Sequence, residues 1–328
     1  MGAGLVAAFF ILVYRPPETS LLTPPFQSTE SREALPFAEP ARSAYGVSGA
    51  VRMRFALPGK VVEYPLELAS DSVNYAYQWV RVVDTVATGV VRPLNGDRLL
   101  APSTPGYYRL ALLQDGDRRL VDGLTVTVLI PFGEKRDGRL RGVRLGMWAG
   151  EGGGERARES LPEGFIQVAS SALTLPISKH LRLGDFLTTP DTPADGLPEF
   201  AALDSRLLDK LELVMAELQR SLVEAGKTDA APRLLVNSGF RAPAYNRTVR
   251  GAARDSRHQY GDAADVRVDL DGDGHFSLAE ARQVAKAVEA VERRHPELAG
   301  GLGLYTSRRY RSPYVHIDAR GSRARWTG

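Results

Sequence analysis

The segment "SRHQYGDAADVRVDLDGDGHFSLAE", residues 256–280, sets His258, a run of small residues and five aspartates in one short span. Acids at this density are either a solvated loop or the ligands of metal ions. The middle of the segment, "AADVRVD" (263–269), is strand-like, and a helical pattern follows from about Leu278 to Arg294. Working outward, Leu203, Leu207, Leu211, Val214, Leu218 and Leu222 recur every three to four residues after Pro198, and Gly226 supplies a stop. That spacing predicts a long amphipathic helix. With the strand-like stretches "RLLVNSGF" (233–240), "GGLGLYTS" (300–307) and "PYVHIDA" (313–319) it gives an α+β domain built on an antiparallel sheet.

Upstream, residues 45–130 alternate in β fashion and are punctuated by "LNGD", "TPGY" and "QDGD", the pattern of a small sandwich-like all-β domain. Tyr75, Tyr77 and Trp79 share a strand face there, which suits a sandwich core better than sugar stacking. Residues 131–195 are rich in Gly and Arg and read as a connecting unit leading to a C-terminal domain over 196–328. Residues 16–44 are a Pro-rich linker. At the N-terminus, Gly2 to Tyr14 carry no charge before Arg15. The stretch is short of the ~20 residues of a bilayer span, and no basic region precedes it as in a signal peptide. The expectation is an anchor or signal over residues 1–15 that brings the chain to a membrane.

Composition narrows the chemistry. The 328 residues are 43% hydrophobic and 25% charged, ordinary for a globular chain. The net charge of +3 is small and the arginines are scattered, so no nucleic-acid surface is expected. With no cysteine, disulfides, thiolate metal sites and cysteine nucleophiles are all excluded. Any metal is held by nitrogen and oxygen. His258 and Asp265, with His316 on a later strand, offer two imidazoles and a carboxylate, a set that suits a catalytic Zn²⁺ and leaves a position for water.

These residues fall inside three ordered motifs, "SGFRAPAYN" (238–246), "SRHQYGDAAD" (256–265) and "YVHID" (314–318). In them the chain resembles the zinc D-alanyl-D-alanine metallopeptidases, peptidoglycan peptidases that share their fold with lysostaphin and hedgehog N-terminal domains. The resemblance covers roughly residues 177–328. It leans toward the envelope murein endopeptidase branch, whose last motif also reads His, any residue, Asp before a Gly-Arg-Trp-rich tail, here "ARGSRARW" (319–326).

The resemblance implies zinc ligation by His258, Asp265 and His316, and binding of a substrate carboxylate by Arg241. Ser256 and Tyr314 fall on the substrate side, and Gly261 and Ala263 match small positions that let the sheet approach the metal. It also implies peptidoglycan stem peptides as partners and a bacterial envelope location, periplasmic or extracytoplasmic. One departure stands out. The carboxypeptidase and dipeptidase branches carry an acidic general base three residues before the final His, where this chain has Pro313. Asp318 lies two residues beyond His316 and on the same strand face. It is expected either to act as the catalytic base, to orient a ligand imidazole, or to be purely structural.

The remaining acids fit a second ion. Asp269, Asp271, Asp273, Gly274, Ser277 and Glu280 occupy positions 1, 3, 5, 6, 9 and 12 of a twelve-residue EF-hand-like loop, with His275 at position 7 and Phe276 at position 8. A strand, not a helix, precedes it. The competing reading is an acidic turn whose side chains cap the following helix. Asp265 and Asp269 would stand ~13 Å apart along the strand, too far to share a metal. Zn²⁺ for chemistry and Ca²⁺ for structure are therefore expected, in a murein peptidase that cuts near D-Ala or diaminopimelate. The alternative is a catalytically silent domain that binds wall peptide or a protein partner.

Overall fold

A computed structural model describes residues 45–65, 75–82, 87–94, 98–151, 153, 161–187, 199–306 and 312–328. The expected anchor (1–15) and linker (16–44) lie outside the described residues. No helix among the described residues is long and apolar enough to cross a membrane.

The first part of the chain is built from β1 (Met53–Ala56), β2 (Val61–Glu63), β3 (Ala76–Arg81), β4 (Ala87–Pro93), β5 (Arg98–Leu100), β6 (Gly106–Gln114), β7 (Asp117–Leu120) and β8 (Thr125–Val128). A six-stranded sheet runs β1-β8-β6-β3-β4 with β7 beside β6, and β2 pairs with β5 in a separate two-stranded ribbon. Instead of two sheets of similar size, one broad sheet is met by a two-stranded ribbon. Its aromatics are core, as the alternation predicts: Tyr75, Tyr77 and Trp79 are all buried. Trp79 Nε1 donates to the Leu100 carbonyl at 2.8 Å and the Tyr77 hydroxyl accepts from Leu100 N–H at 3.1 Å, pinning the ribbon to the sheet.

Short strands follow: β9 (Ile130–Pro131), β10 (Arg139–Leu140), β11 (Val143–Arg144), β12 (Gly164–Gln167) and β13 (Phe200–Ala201), with helix α1 (Leu183–Leu187). β12 pairs antiparallel with both β9 and β13. Around them Phe165, Trp148, Leu145, Phe200 and Tyr260 form a second buried cluster.

Helix α2 (Ser205–Glu224) starts two residues later than the leucine pattern alone suggests, because the Asp204 carboxylate caps it by accepting from Arg206 N–H at 2.8 Å. After β14 (Arg233–Ser238) and the short α3 (Pro243–Asn246) comes β15 (Ala263–Asp269), then α4 (Leu278–Arg294), β16 (Gly301–Tyr305), β17 (Tyr314–Asp318) and β18 (Ala324–Thr327). These strands form one sheet in the order β14-β15-β17-β16-β18. It is antiparallel as expected except where β18, a strand hidden in the Arg-rich tail, runs parallel to β16.

Alternation divides the sheet into two faces. Val266, Val268, Val315 and Ile317 are buried in one continuous apolar cluster with Leu207, Leu211 and Val214 of α2 and Val284, Val288 and Val291 of α4. Asp265, Tyr314, His316 and Asp318 alternate with those residues and point to the opposite face. That cluster extends without a break to Val126 and Leu110 of the N-terminal sheet.

Candidate metal centre

Register brings the candidate ligands together. In the β15–β17 pairing Asp265 lies directly opposite His316, and His258 enters from a 3-10 turn, Arg257–Tyr260, just before β15. The His316 Nδ1 is 2.9 Å from Asp265 Oδ1, the His258 Nε2 is 3.3 Å from the same oxygen, and the two nitrogens are 3.2 Å apart. All three residues are buried.

Hydrogen-bond partners fix which ring nitrogens face inward. His258 Nδ1 is 2.7 Å from the Gly239 carbonyl, which can only accept, so Nδ1 carries the proton and Nε2 presents a lone pair. His316 Nε2 is 3.1 Å from Asp318 Oδ2, which can only accept; with a proton held there, Nδ1 is free to turn a lone pair inward. In that state three lone pairs converge on one point, an arrangement that repels itself unless a metal cation, or a second proton on His316 Nδ1 shared with Asp265, lies between them. A tetrahedral Zn²⁺ with ligands at ~2.0–2.1 Å sets neighbouring donors about 3.3 Å apart. The spacing and the all-nitrogen-and-oxygen donor set both fit that ion.

The electrostatics agree. Burial pushes the His258 imidazole below its ordinary pKa, against the pull of Asp265. Burial works to raise Asp265, but the two imidazoles outweigh it and hold the carboxyl well below the usual range. For His316 burial lowers the pKa, yet its bonds to Asp265 and Asp318 prevail and raise it. Metal binding here therefore competes with a proton on His316.

Asp318 does not face the point of convergence. It stands behind the His316 ring, fully buried, with Oδ1 accepting from Gly301 N–H at 2.7 Å and both oxygens bonded to Arg320. Burial acts to raise its pKa, but His316 and Arg320 hold it far below the ordinary carboxylate range. Of the three roles expected for Asp318, this position favours orienting the imidazole, because the His316 ring lies between the carboxylate and the point of convergence.

Arg241 is at the site. Its Nη2 donates to Asp265 Oδ2 at 2.8 Å and its Nε to Ser238 Oγ at 2.8 Å, so it steers the second oxygen of the ligand carboxylate away from the other ligands. Ser256 begins the 3-10 turn and its carbonyl accepts from Gln259 N–H, a role in the backbone of the turn. Tyr314 lies on the ligand face two residues before His316 and stacks on Tyr305 with ring centroids 4.5 Å apart. Gly261 adopts φ +77° to end the 3-10 turn, and a Cβ there would run into the Ala202 carbonyl. Its smallness serves the turn and the approach of residue 202, not the approach of the sheet to a metal.

Sequence reasoning missed two neighbours. Trp326 of β18 covers His316 at 5.1 Å between centroids, donates to Tyr305 Oη at 3.0 Å, and fills the space where Gly303 has no side chain. Gly239 supplies the carbonyl that sets the His258 tautomer. The "ARW" tail and the "SGF" glycine were the available signals.

In the acidic loop, Asp269, Asp271 and Asp273 bring carboxylate oxygens within 4.8 Å of one another, while Glu280 is not in that group. Both Glu280 oxygens accept main-chain N–H groups, from Leu270 and Ser277 at 2.7 Å each, and Ser277 Oγ accepts from Glu280 N–H at 3.2 Å. This is a capping box at the start of α4. Asp269 accepts from Gly272 and Gly274 at 2.7 and 3.0 Å, and His275 is exposed.

Residues 208–318 match a family model described as Peptidase M15. No curated protein matches the chain.

Proposed function

We propose that this chain, which belongs to the Peptidase M15 family through residues 208–318, is a zinc-dependent peptidase that hydrolyses stem-peptide or cross-link bonds of peptidoglycan near D-Ala or diaminopimelate. The observation that carries the reading is the convergence of His258 Nε2, Asp265 Oδ1 and His316 Nδ1 at 2.9–3.3 Å with both outer imidazole nitrogens already committed. When bound, zinc supplies Lewis acidity toward a carbonyl and lowers the pKa of a water toward neutrality. The protein's own contribution is orientation. Gly239 and Asp318 hold the imidazoles, and Arg241 holds Asp265 while presenting a guanidinium to a carboxylate of the stem peptide, the geometry that group favours. Tyr314, Tyr305 and Trp326 form an aromatic wall beside His316 against which the peptide is placed.

A catalytically silent binding domain is the second reading. It is favoured by Pro313 and by the position of Asp318 behind the ring, which leave the base unassigned. The acidic loop is read as a calcium site on the convergence of Asp269, Asp271 and Asp273. Purified full chain incubated with muropeptides, with and without zinc, separates the two readings by mass analysis of products. The expected result is about one zinc per chain and cleavage that His258→Ala and His316→Ala abolish. Bound zinc without any product would establish the silent domain, and wild-type product from either variant would overturn the metal reading.

A further inference from the structure

We propose that Trp148 is a positioning residue for His258, so that the 131–151 segment is part of the metal-binding machinery. This rests on the reading of His258 as a ligand and deepens it, since the segment lies outside the 208–318 match.

The indole Nε1–H of Trp148 donates to the Gln259 carbonyl at 2.7 Å, a buried bond between residues 111 positions apart. Gln259 follows His258 in the 3-10 turn, so the bond grips the main chain one residue from the ligand. Arg241 N–H holds the His258 carbonyl at 3.0 Å, and the Gly239 carbonyl holds Nδ1. Swinging the imidazole out of register would break a set of buried bonds, each costly to leave unmade.

Trp148 is itself held on several sides. Its main-chain N–H donates to Glu151 Oε1 at 2.8 Å, and the two Glu151 oxygens grip Lys135 Nζ at 2.7 and 2.6 Å. The Lys135 ammonium, almost wholly buried, lies 5.3 Å from the Trp148 ring and 5.5 Å from Phe132. Phe132 meets the indole edge-on at 5.4 Å. A buried ion pair is a weak source of stability but sets a geometry sharply. Here that geometry is the direction of one indole N–H. A second bond, Ala244 N–H to the Leu145 carbonyl at 2.8 Å, ties the same segment to the short helix α3 that follows Arg241.

The test is Trp148→Phe in the full chain, which keeps an aromatic ring and removes the donor. Zinc affinity is read by chelator competition, and the His258 ring nitrogens are read by ¹⁵N NMR on metal-free protein. The expected result is zinc binding about tenfold weaker, as for other outer partners of metal ligands. Turnover at saturating zinc should change by less than the affinity, and the His258 shifts should move toward tautomer averaging. Glu151→Gln, which loosens the support without touching the turn, should fall between wild type and Trp148→Phe. Leu110→Ala, a buried site on β6, controls for lost stability and should lower the melting temperature with zinc affinity intact. Unchanged zinc affinity in Trp148→Phe, or an equal loss in Leu110→Ala, overturns the proposal. A wild type that binds no zinc overturns the peptidase reading instead, and the His258 shifts still decide whether Trp148 positions the ring.

Discussion

Asp318→Asn separates the roles open to that side chain. An orienting carboxylate should show zinc affinity reduced ~10 to 100-fold, with turnover restored when zinc is saturating. A base would lose ~10² to 10⁴ in turnover with zinc still bound. The first outcome is expected, because Asp318 touches the outer nitrogen of His316. Arg241→Lys should cost both ways: one ammonium cannot hold Ser238 and Asp265 together and also fork a substrate carboxylate. Kinetics on a free-carboxylate substrate and its amide read the second effect, and equal discrimination by mutant and wild type would remove Arg241 from substrate binding. At this scale the convergence of His258, Asp265 and His316 was legible, because strand alternation and three short motifs name those residues. Which imidazole nitrogen turns inward was not legible, since it depends on a carbonyl 19 residues from His258 and on the depth at which Asp318 is buried.

The acidic turn between β15 and α4 carries its own test, because the capping box and the calcium loop make different demands on residue 280. A capping box accepts Gln in place of Glu. A calcium loop needs the bidentate carboxylate at position 12. Glu280→Gln keeps one acceptor oxygen for the cap and loses the other, so calcium-free melting should fall modestly, by the one main-chain N–H left unmet, while most of the calcium-dependent rise is abolished. That rise reaches ~2.7 kcal/mol when free calcium is one hundred times its dissociation constant. The measurement is a calcium titration of melting temperature with magnesium as control. A flat wild-type response would leave only the cap. Elements were read well where one period ran long: α4 spans the expected Leu278–Arg294. β18 was missed because "ARWT" is too short and too charged to announce a strand and exists by pairing with β16. The role of residues 131–151 was hidden for a related reason, as Trp148 meets its partner across 111 positions.

Across the described residues, all of which fall in one compact unit, α2 works as the hub. Its Asp209 carboxylate accepts from Val47 and Ser48 N–H at 2.9 and 2.8 Å, and its Glu212 accepts from His180 N–H at 2.9 Å. Lys210, fully buried between them in sequence, donates to Glu292 of α4 at 2.7 Å and to the Asp318 carbonyl at 2.6 Å. Burial lowers the Lys210 pKa, and the Glu292 carboxylate opposes that shift. Removing one partner of such a pair typically costs ~3 to 5 kcal/mol. Glu292 keeps Arg325 and Gly300 N–H, so Lys210→Met should fall near the lower end of that range in denaturant unfolding. The loss should not stay local. The apolar core is continuous from β6 and β8 through α2 to β15 and β17, so both sheets share the packing that Lys210→Met disturbs. Native-state hydrogen exchange should then show the slowest amides of β6 and of β15 losing the same protection in Lys210→Met. Loss confined to β15 would mean that the N-terminal sheet folds apart from the sheet that carries Asp265 and His316, and that α2 joins two domains instead of running through one.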